Sequence, residues 1–186
     1  NDVSANDWFA SAVDYVTGKG MMNGTADNTF SPKANTTRGM VVTVLYRLEN
    51  QPSTSAASFT DVASGAYYAN AVAWANANGI VSGYGSGKFG PNDKVTREQL
   101  AAILYRYAQH KGYDVSAGKD TNILSFNDAF AVSEYAIPAM QWACGSGMVR
   151  GIAQKGGMFL VPGDTTTRAQ AATLIMRFQS AFAKEP

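Results

Sequence analysis

The sequence predicts a mainly α-helical module of three repeats, with one helix from each repeat in a central three-helix bundle and three lobes projecting around it. Three observations predict this. One sequence unit recurs three times, every unit carries two helical stretches, and the second stretch always has an apolar stripe at helical spacing.

The repeat is visible without gaps between the first two copies. Moving along the chain by 59 residues takes Asp2-Val3 to Asp61-Val62, Gly20 to Gly79, Gly24 to Gly83, Phe30 to Phe89, Pro32 to Pro91 and Thr37-Arg38 to Thr96-Arg97. A third copy follows with small insertions, matching at Phe126, Asp128, Trp142, Gly147, Gly151, Phe159, Pro162 and Thr167-Arg168. The units are placed at residues 1–50, 57–112 and 124–183, separated by "ENQPSTSAAS" and "HKGYDVSAGKDTNIL", polar stretches rich in turn residues.

Within each unit the first helix is expected to run from about Trp8, Tyr67 or Ile137 to a glycine C-cap at Gly20, Gly79 or Gly147. Trp74, Trp142 and Tyr15 fall mid-helix and are expected in the core. Asp2, Asp61 and Asp128 each precede a helix, where capping or turn formation accounts for them. A glycine-rich loop follows, as in "GIVSGYGSGKFGPNDKV", too broken for a long strand but able to form hairpin-like turns. The second helix opens at a capping threonine: Thr37, Thr96 or Thr167, with Gln99 and Gln170 as capping-box partners in copies two and three. Its buried stripe is Val41, Val44, Leu45, Leu48; then Leu100, Ile103, Leu104, Tyr107; then Ala171, Leu174, Ile175, Phe178.

Composition excludes several functions. The 186 residues can bury a real core, and a net charge of +1 with interspersed signs provides no basic face for nucleic acid or anionic membrane. No apolar run approaches the roughly 20 residues that span a bilayer. The single Cys144 and single His110 are poor material for a zinc site or nucleophilic triad, and each has a structural explanation: Cys144 as a core residue, His110 at a helix end. No second carboxylate is fixed beside the recurring aspartates to make a glycosidase pair, and no regular calcium loop is present. No cofactor, metal or catalytic residue is expected. The start at Asn1, without Met or signal peptide, suggests a mature protein or an excised fragment.

Arg38, Arg97 and Arg168 pose a problem. Each stands at the first position of a helix, where the macrodipole disfavours a cation by about 0.3–1 kcal/mol. Arg47, Arg106 and Arg177, ten residues after the threonines, lie near helix C-termini, where the same dipole favours them. The first set is misplaced for folding but suited to an anion, because a guanidinium fork binds a carboxylate through two hydrogen bonds and the helix start adds free N–H groups. The other reading pairs each arginine with an acid on a neighbouring repeat.

The stretch "SFTDV…YYANAVAWANANGIVSGYGSGKFGPNDKVTREQLAAILYRY" resembles an S-layer homology repeat, and the whole chain resembles a tandem of three. The resemblance implies a pseudo-threefold trimer of helix–loop–helix repeats. It further implies a non-catalytic anchor that tethers an S-layer protein or exported enzyme to the wall of a bacterium, typically Gram-positive, with its cargo domain outside these residues. The implied partner is an acidic secondary cell-wall polysaccharide, often with pyruvylated N-acetylmannosamine, bound in grooves between repeats. Arg38, Arg97 and Arg168 match the family's principal ligand contact. Gly24, Gly83 and Gly151 are candidates for close ligand approach or for plain turns. Trp8, Tyr67 and Tyr135 are candidates for stacking on a sugar or for packing, and Gln99 and Gln170 join the candidate ligand contacts.

The copies differ. Copy one has Gly39-Met40 where copy two has Glu98-Gln99, so its first turn is expected to fray and its Arg38 groove to be weakest. In copy three the loop "GIAQKGGMFLVPGD" is longer and basic. The alternative function is a helical-repeat module for protein partners, although such repeats need no arginine at a helix start.

Overall fold

Among the described residues six α-helices form where the sequence has its apolar runs: α1 Ala10–Gly18, α2 Arg38–Leu48, α3 Ala69–Ala77, α4 Arg97–His110, α5 Ile137–Gly145 and α6 Arg168–Phe182. The computed structural model describes residues 2–56 and 58–183, so the unit boundaries drawn at residues 1 and 57 lie outside it. A short antiparallel hairpin, β1 Ile152–Gln154 with β2 Gly157–Phe159, is the one two-stranded sheet among the described residues. It occupies the long loop of the third repeat. The protein is mainly α-helical.

The first helices of repeats one and two begin two residues later than expected, leaving Trp8 and Tyr67 in the preceding turn. Their ends match expectation. Gly20, Gly79 and Gly147 follow the last helical turn at φ of +65°, +68° and +73°, a left-handed conformation that glycine adopts without penalty. At the first of these the Met21 N–H bonds to Val16 O and the Gly20 N–H to Thr17 O, the two bonds of a Schellman cap.

The second helices carry the predicted caps. Thr37, Thr96 and Thr167 accept from the N–H groups of Met40, Gln99 and Gln170, and α4 and α6 complete the capping box with the glutamine side chain. Copy one lacks that second half, yet its turn is tightly packed. A Cβ on Gly39 would lie 2.9 Å from Pro91 O and 3.1 Å from the Tyr68 ring, so glycine permits a close approach between repeats. The expected fraying therefore has no basis in the packing.

Helices pair between repeats. α1 packs on α6, α3 on α2 and α5 on α4, so each repeat's first helix covers the second helix of the preceding repeat, and the chain closes on itself. The predicted stripe residues of α2, α4 and α6 are buried except Leu48 and Leu174, which are half-buried. Most converge in one core with Trp74, Phe89 and Trp142; α1 and α6 enclose a second around Val16 and Ile175. Tyr15 is only half-buried. At the junction the Thr36 N–H donates to Thr166 O (2.8 Å), Thr166 N–H to Val95 O (2.9 Å) and Val95 N–H to Thr36 O (2.9 Å). Three equivalent positions thus form a closed ring of hydrogen bonds.

The recurring aspartates have a role that capping does not describe. Asp2 accepts from the N–H groups of Phe30 (2.8 Å) and Ser31 (2.6 Å), Asp61 from Phe89 and Gly90 (both 2.8 Å), and Asp128 from Leu160 and Val161 (both 2.7 Å). Each carboxylate clamps the far end of its own repeat's loop through two successive N–H groups. This geometry puts Ser31, Gly90 and Val161 at φ of +57°, +71° and +46°. It also corrects the alignment of the third copy: Leu160, not Phe159, occupies the place of Phe30 and Phe89.

Candidate functional site

The helix N-termini are not open to a ligand. The N–H groups of Arg38 and Gly39 donate to Asp93 O and Pro91 O, those of Arg97 and Glu98 to Asp164 O and Pro162 O, and those of Arg168 and Ala169 to Ala34 O and Pro32 O. The loop of the next repeat thus caps each second helix. An orphan donor set that sequence logic reserved for an anion is consumed in assembling the three repeats.

The arginine side chains follow the same path. Arg38 donates from Nε to Phe89 O (3.0 Å) and from Nη2 to Ser82 O (3.0 Å). Arg168 does so to Phe30 O (2.8 Å) and Asn23 O (2.7 Å), and Arg97 to Leu160 O (2.8 Å) and Arg150 O (3.4 Å). Repeat one therefore reaches into two, two into three and three into one. The partner is the backbone of a neighbouring repeat rather than the acidic side chain the sequence suggested. Aromatic faces add to this: the Arg38 guanidinium lies 4.6 and 4.7 Å from the Tyr84 and Phe89 ring centroids, and that of Arg168 is 4.5 Å from Phe30. Leu160 denies Arg97 such a face. Burial lowers the pKa of all three arginines, which stay charged.

Those bonds occupy Nε–H and one Nη2–H, leaving Arg38 and Arg97 both N–H groups on Nη1 and one on Nη2; Arg168 also donates from Nη1 to the weak acceptor Met40 Sδ (3.9 Å), which leaves it one on each. The remaining fork faces a cleft between repeats. The Arg168 cleft is bounded by Met21–Thr25, Met40, Thr43, Arg47 and Tyr67. The Arg38 cleft is bounded by Val81–Tyr84, Gln99, Arg106 and Tyr135. The Arg97 cleft is bounded by Met148–Arg150, Ile152, Gln170, Thr173, Arg177 and Trp8. Their volumes are 280, 360 and 310 Å³, at the small end of ligand clefts.

One construction rule generates all three. The loop and second helix come from one repeat, the first arginine from the repeat before it and an aromatic from the repeat after it. Trp8, Tyr67 and Tyr135 are 66%, 63% and 51% exposed, so burial does not explain them. Tyr135 is tied at its hydroxyl to the buried Glu98 (3.4 Å), and burial together with that carboxylate pushes its pKa up to about 12. Gly24 and Gly83 line their clefts, while Gly151 sits between the lining residues Arg150 and Ile152. A Cβ on Gly24 would fall 2.7 Å from Thr29 O and one on Gly151 2.5 Å from the Phe126 ring, so loop closure already demands these glycines. Gln99 and Gln170 serve both a cap and a cleft.

The sequence places Arg47, Arg106 and Arg177 near helix C-termini, and the structure adds them to the cleft walls. Arg47 and Arg177 also bond to Met21 O (3.1 Å) and Met148 O (2.9 Å) in the loops after the first helices. Their signal was present: Met40, Thr43 and Arg47 repeat at helical spacing on one face of α2. No Asp or Glu lines any of the three clefts. Cys144 is half-buried, and burial pushes its thiol up to about 11, out of the nucleophile range. No cluster of three or more metal-ligating side chains occurs among the described residues, and none of their helices is long and apolar enough to cross a membrane.

Comparison with known proteins gives a family match. The model of the S-layer homology domain matches residues 1–39 and 58–101. An amylopullulanase of Thermoanaerobacterium thermosulfurigenes is 31% identical over 180 residues, covering 94% of this chain and 9% of that protein. A surface-layer 125 kDa protein of Lysinibacillus sphaericus is 26% identical over 166 residues, covering 89% and 14%. The S-layer protein sap of Bacillus anthracis is 28% identical over 190 residues, covering 99% and 22%. The chain thus spans less than a quarter of each of these relatives, enzymes and surface-layer proteins alike.

Proposed function

The chain belongs to the S-layer homology domain family, and from that membership we propose that it is a non-catalytic module anchoring a larger protein to a bacterial cell wall. Its ligand is an acidic secondary cell-wall polysaccharide, of which a pyruvylated N-acetylmannosamine terminus is one form. The carrying observation is the lining of the clefts: each has at least two arginines, no carboxylate and an exposed aromatic at the rim. A guanidinium with its outer fork unused accepts a carboxylate in bidentate geometry, and an exposed indole or phenol offers a flat face to a sugar ring. The relatives joined to different partners, a surface layer in one case and an amylopullulanase in another, fit an anchor that carries varied cargo. In this reading Arg38, Arg97 and Arg168 bind ligand with the half of the guanidinium that the fold leaves unused. Gln99, Gln170, Trp8, Tyr67 and Tyr135 complete the clefts. The location is the outer face of a Gram-positive type of wall.

The test is calorimetry with purified wall polysaccharide before and after its acidic substituents are removed. Binding is expected to the acidic form and to fall at least tenfold on their removal. Trp8→Ala and Tyr67→Ala, at exposed positions, should weaken binding with melting temperature little changed, and Tyr135→Phe should do so less, because it keeps the ring and loses only the bond to Glu98. Equal affinity for both polysaccharides refutes the reading. Binding to a peptide array but not to wall glycan would favour the alternative, a helical-repeat module for protein partners.

A further inference from the structure

The three clefts are built alike but charged differently. The position after the first helix that holds Asn23 in repeat one and Ser82 in repeat two holds Arg150 in repeat three. Arg97, Arg150 and Arg177 therefore line one 310 Å³ cavity, whereas each of the other two clefts has two arginines. None of the three forms an ion pair among the described residues, and Arg150 depresses the Arg177 pKa in addition to burial, which is the larger cause.

Two further features separate this cleft. Arg97 is the least committed of the first arginines: half-buried, without an aromatic face, and with one of its two carbonyl bonds stretched to 3.4 Å. Thr166, 2% exposed, lines the same cavity with its hydroxyl unpartnered. A buried hydroxyl without a partner is costly, and a ligand oxygen reaching it would supply the missing bond. The corresponding residue of repeat two is Val95, which has no hydroxyl, and that of repeat one is Thr36, whose buried hydroxyl is also unpartnered but does not line the Arg168 cleft.

We propose that the Arg97 cleft is the module's primary anion site and takes a glycan segment carrying two negative charges, with Arg150 setting that preference. The two charges are a phosphate monoester or carboxylates on adjacent sugars. One carboxylate offsets one of the three guanidinium charges, while a doubly charged segment leaves a near-balanced site. This deepens the carbohydrate-binding reading and rests on it. Arg150 is exposed and donates no hydrogen bond from its side chain among the described residues, so Arg150→Ser, which installs the residue of the second cleft, leaves the fold intact.

The experiment titrates the full chain and Arg150→Ser by NMR with three probes: glucuronic acid, glucose 6-phosphate and digalacturonic acid. Wall polysaccharide is titrated in parallel, and thermal melting monitors folding. At least one doubly charged probe should bind the native chain about tenfold tighter than glucuronic acid, the scale of one charged hydrogen bond. That preference should disappear in Arg150→Ser and be reproduced in the second cleft by Ser82→Arg. Phosphate preference alone or digalacturonate preference alone identifies the source of the charge. If the native chain binds wall polysaccharide but shows no preference for either doubly charged probe, or keeps it in Arg150→Ser, the proposal is overturned and the anchoring reading stands. If the native chain does not bind wall polysaccharide at all, both fall.

Discussion

Replacing Arg168 by Ala should unfold the module far more readily than loss of a surface cation would. The side chain is 5% exposed and reaches from α6 into the loop of repeat one, bonding Phe30 O at 2.8 Å and Asn23 O at 2.7 Å while its guanidinium covers the Phe30 ring. Charged hydrogen bonds contribute about 1.5–3 kcal/mol each, and a cation over an aromatic face adds about 0.5–1. Against this stands the cost of keeping a guanidinium out of water, which the variant no longer bears. Taking the low end of the bond energies leaves about 3 kcal/mol, a large part of the 5–15 kcal/mol typical of a domain. For a chain of this size that corresponds to a fall in melting temperature of about 6–12 °C. Urea denaturation followed by circular dichroism measures it, with Arg150→Ser as the exposed-arginine control, expected within about 0.5 kcal/mol of the native chain. An Arg168→Ala midpoint as close to native as that control would refute the assembling role and return the residue to a purely ligand-binding one.

Three other outcomes follow from the structure. Desolvation raises the Asp61 carboxyl, but the Phe89 and Gly90 N–H groups outweigh it and hold it below the usual range; Phe30 and Ser31 do the same for Asp2. Their contribution is present above the unfolded-state value near pH ~4 and is lost as pH falls through the lower folded-state values, so Asp61→Asn should flatten the acid limb of a stability–pH curve. Val161→Gly should raise stability by about 1 kcal/mol, because a β-branched residue is held at φ +46°; a lower urea midpoint would contradict this. Tyr107→Phe removes the 2.6 Å bond by which the buried phenol donates to Glu49 and should cost about 1–1.5 kcal/mol in chemical denaturation. A double variant with Glu49→Gln that loses no more than either single one would confirm their coupling.

The helices and caps were legible because their causes are local. A threonine accepting from an N–H three residues ahead, or a glycine at positive φ after a helix, depends on residues already adjacent in the sequence. The buried stripes were legible for the same reason. What could not be read was which surface each stripe meets. A repeat written as helix–loop–helix suggests that its two helices pack together, yet α1 lies on α6 at the other end of the chain. Its place before a helix assigns Asp61 to a local cap or turn, whereas the N–H groups it accepts from lie 28 and 29 residues away. In the third copy the sequence match at Phe159 is one residue out, because an insertion hides the position of Leu160 until the Asp128 clamp marks it. Of the candidate site, the first arginines were found by their awkward position, while Arg150 could not stand out from one loop until the cleft brought Arg97 and Arg177 beside it.

The cyclic arrangement resolves why a cation stands at the start of three helices. In a single repeat, the arginine and the first N–H groups of the second helix would have no partner, and the dipole would oppose the charge. Once the next repeat is present, its loop carbonyls turn toward both, and the local penalty of under about 1 kcal/mol is offset by two charged bonds. The residue therefore favours the closed three-repeat assembly over any isolated repeat. The same geometry decides where a ligand can sit. Nε–H and one Nη2–H point into the neighbouring loop, so the remaining N–H groups point out between repeats, where the next aromatic closes the cleft. Folding uses one edge of the guanidinium and leaves the other lining a cleft, at a place that exists only when three repeats have met. Each of the three clefts draws residues from all three repeats, as Arg38, Gln99 and Tyr135 show for one of them. Binding competence and ring closure are thus one structural event.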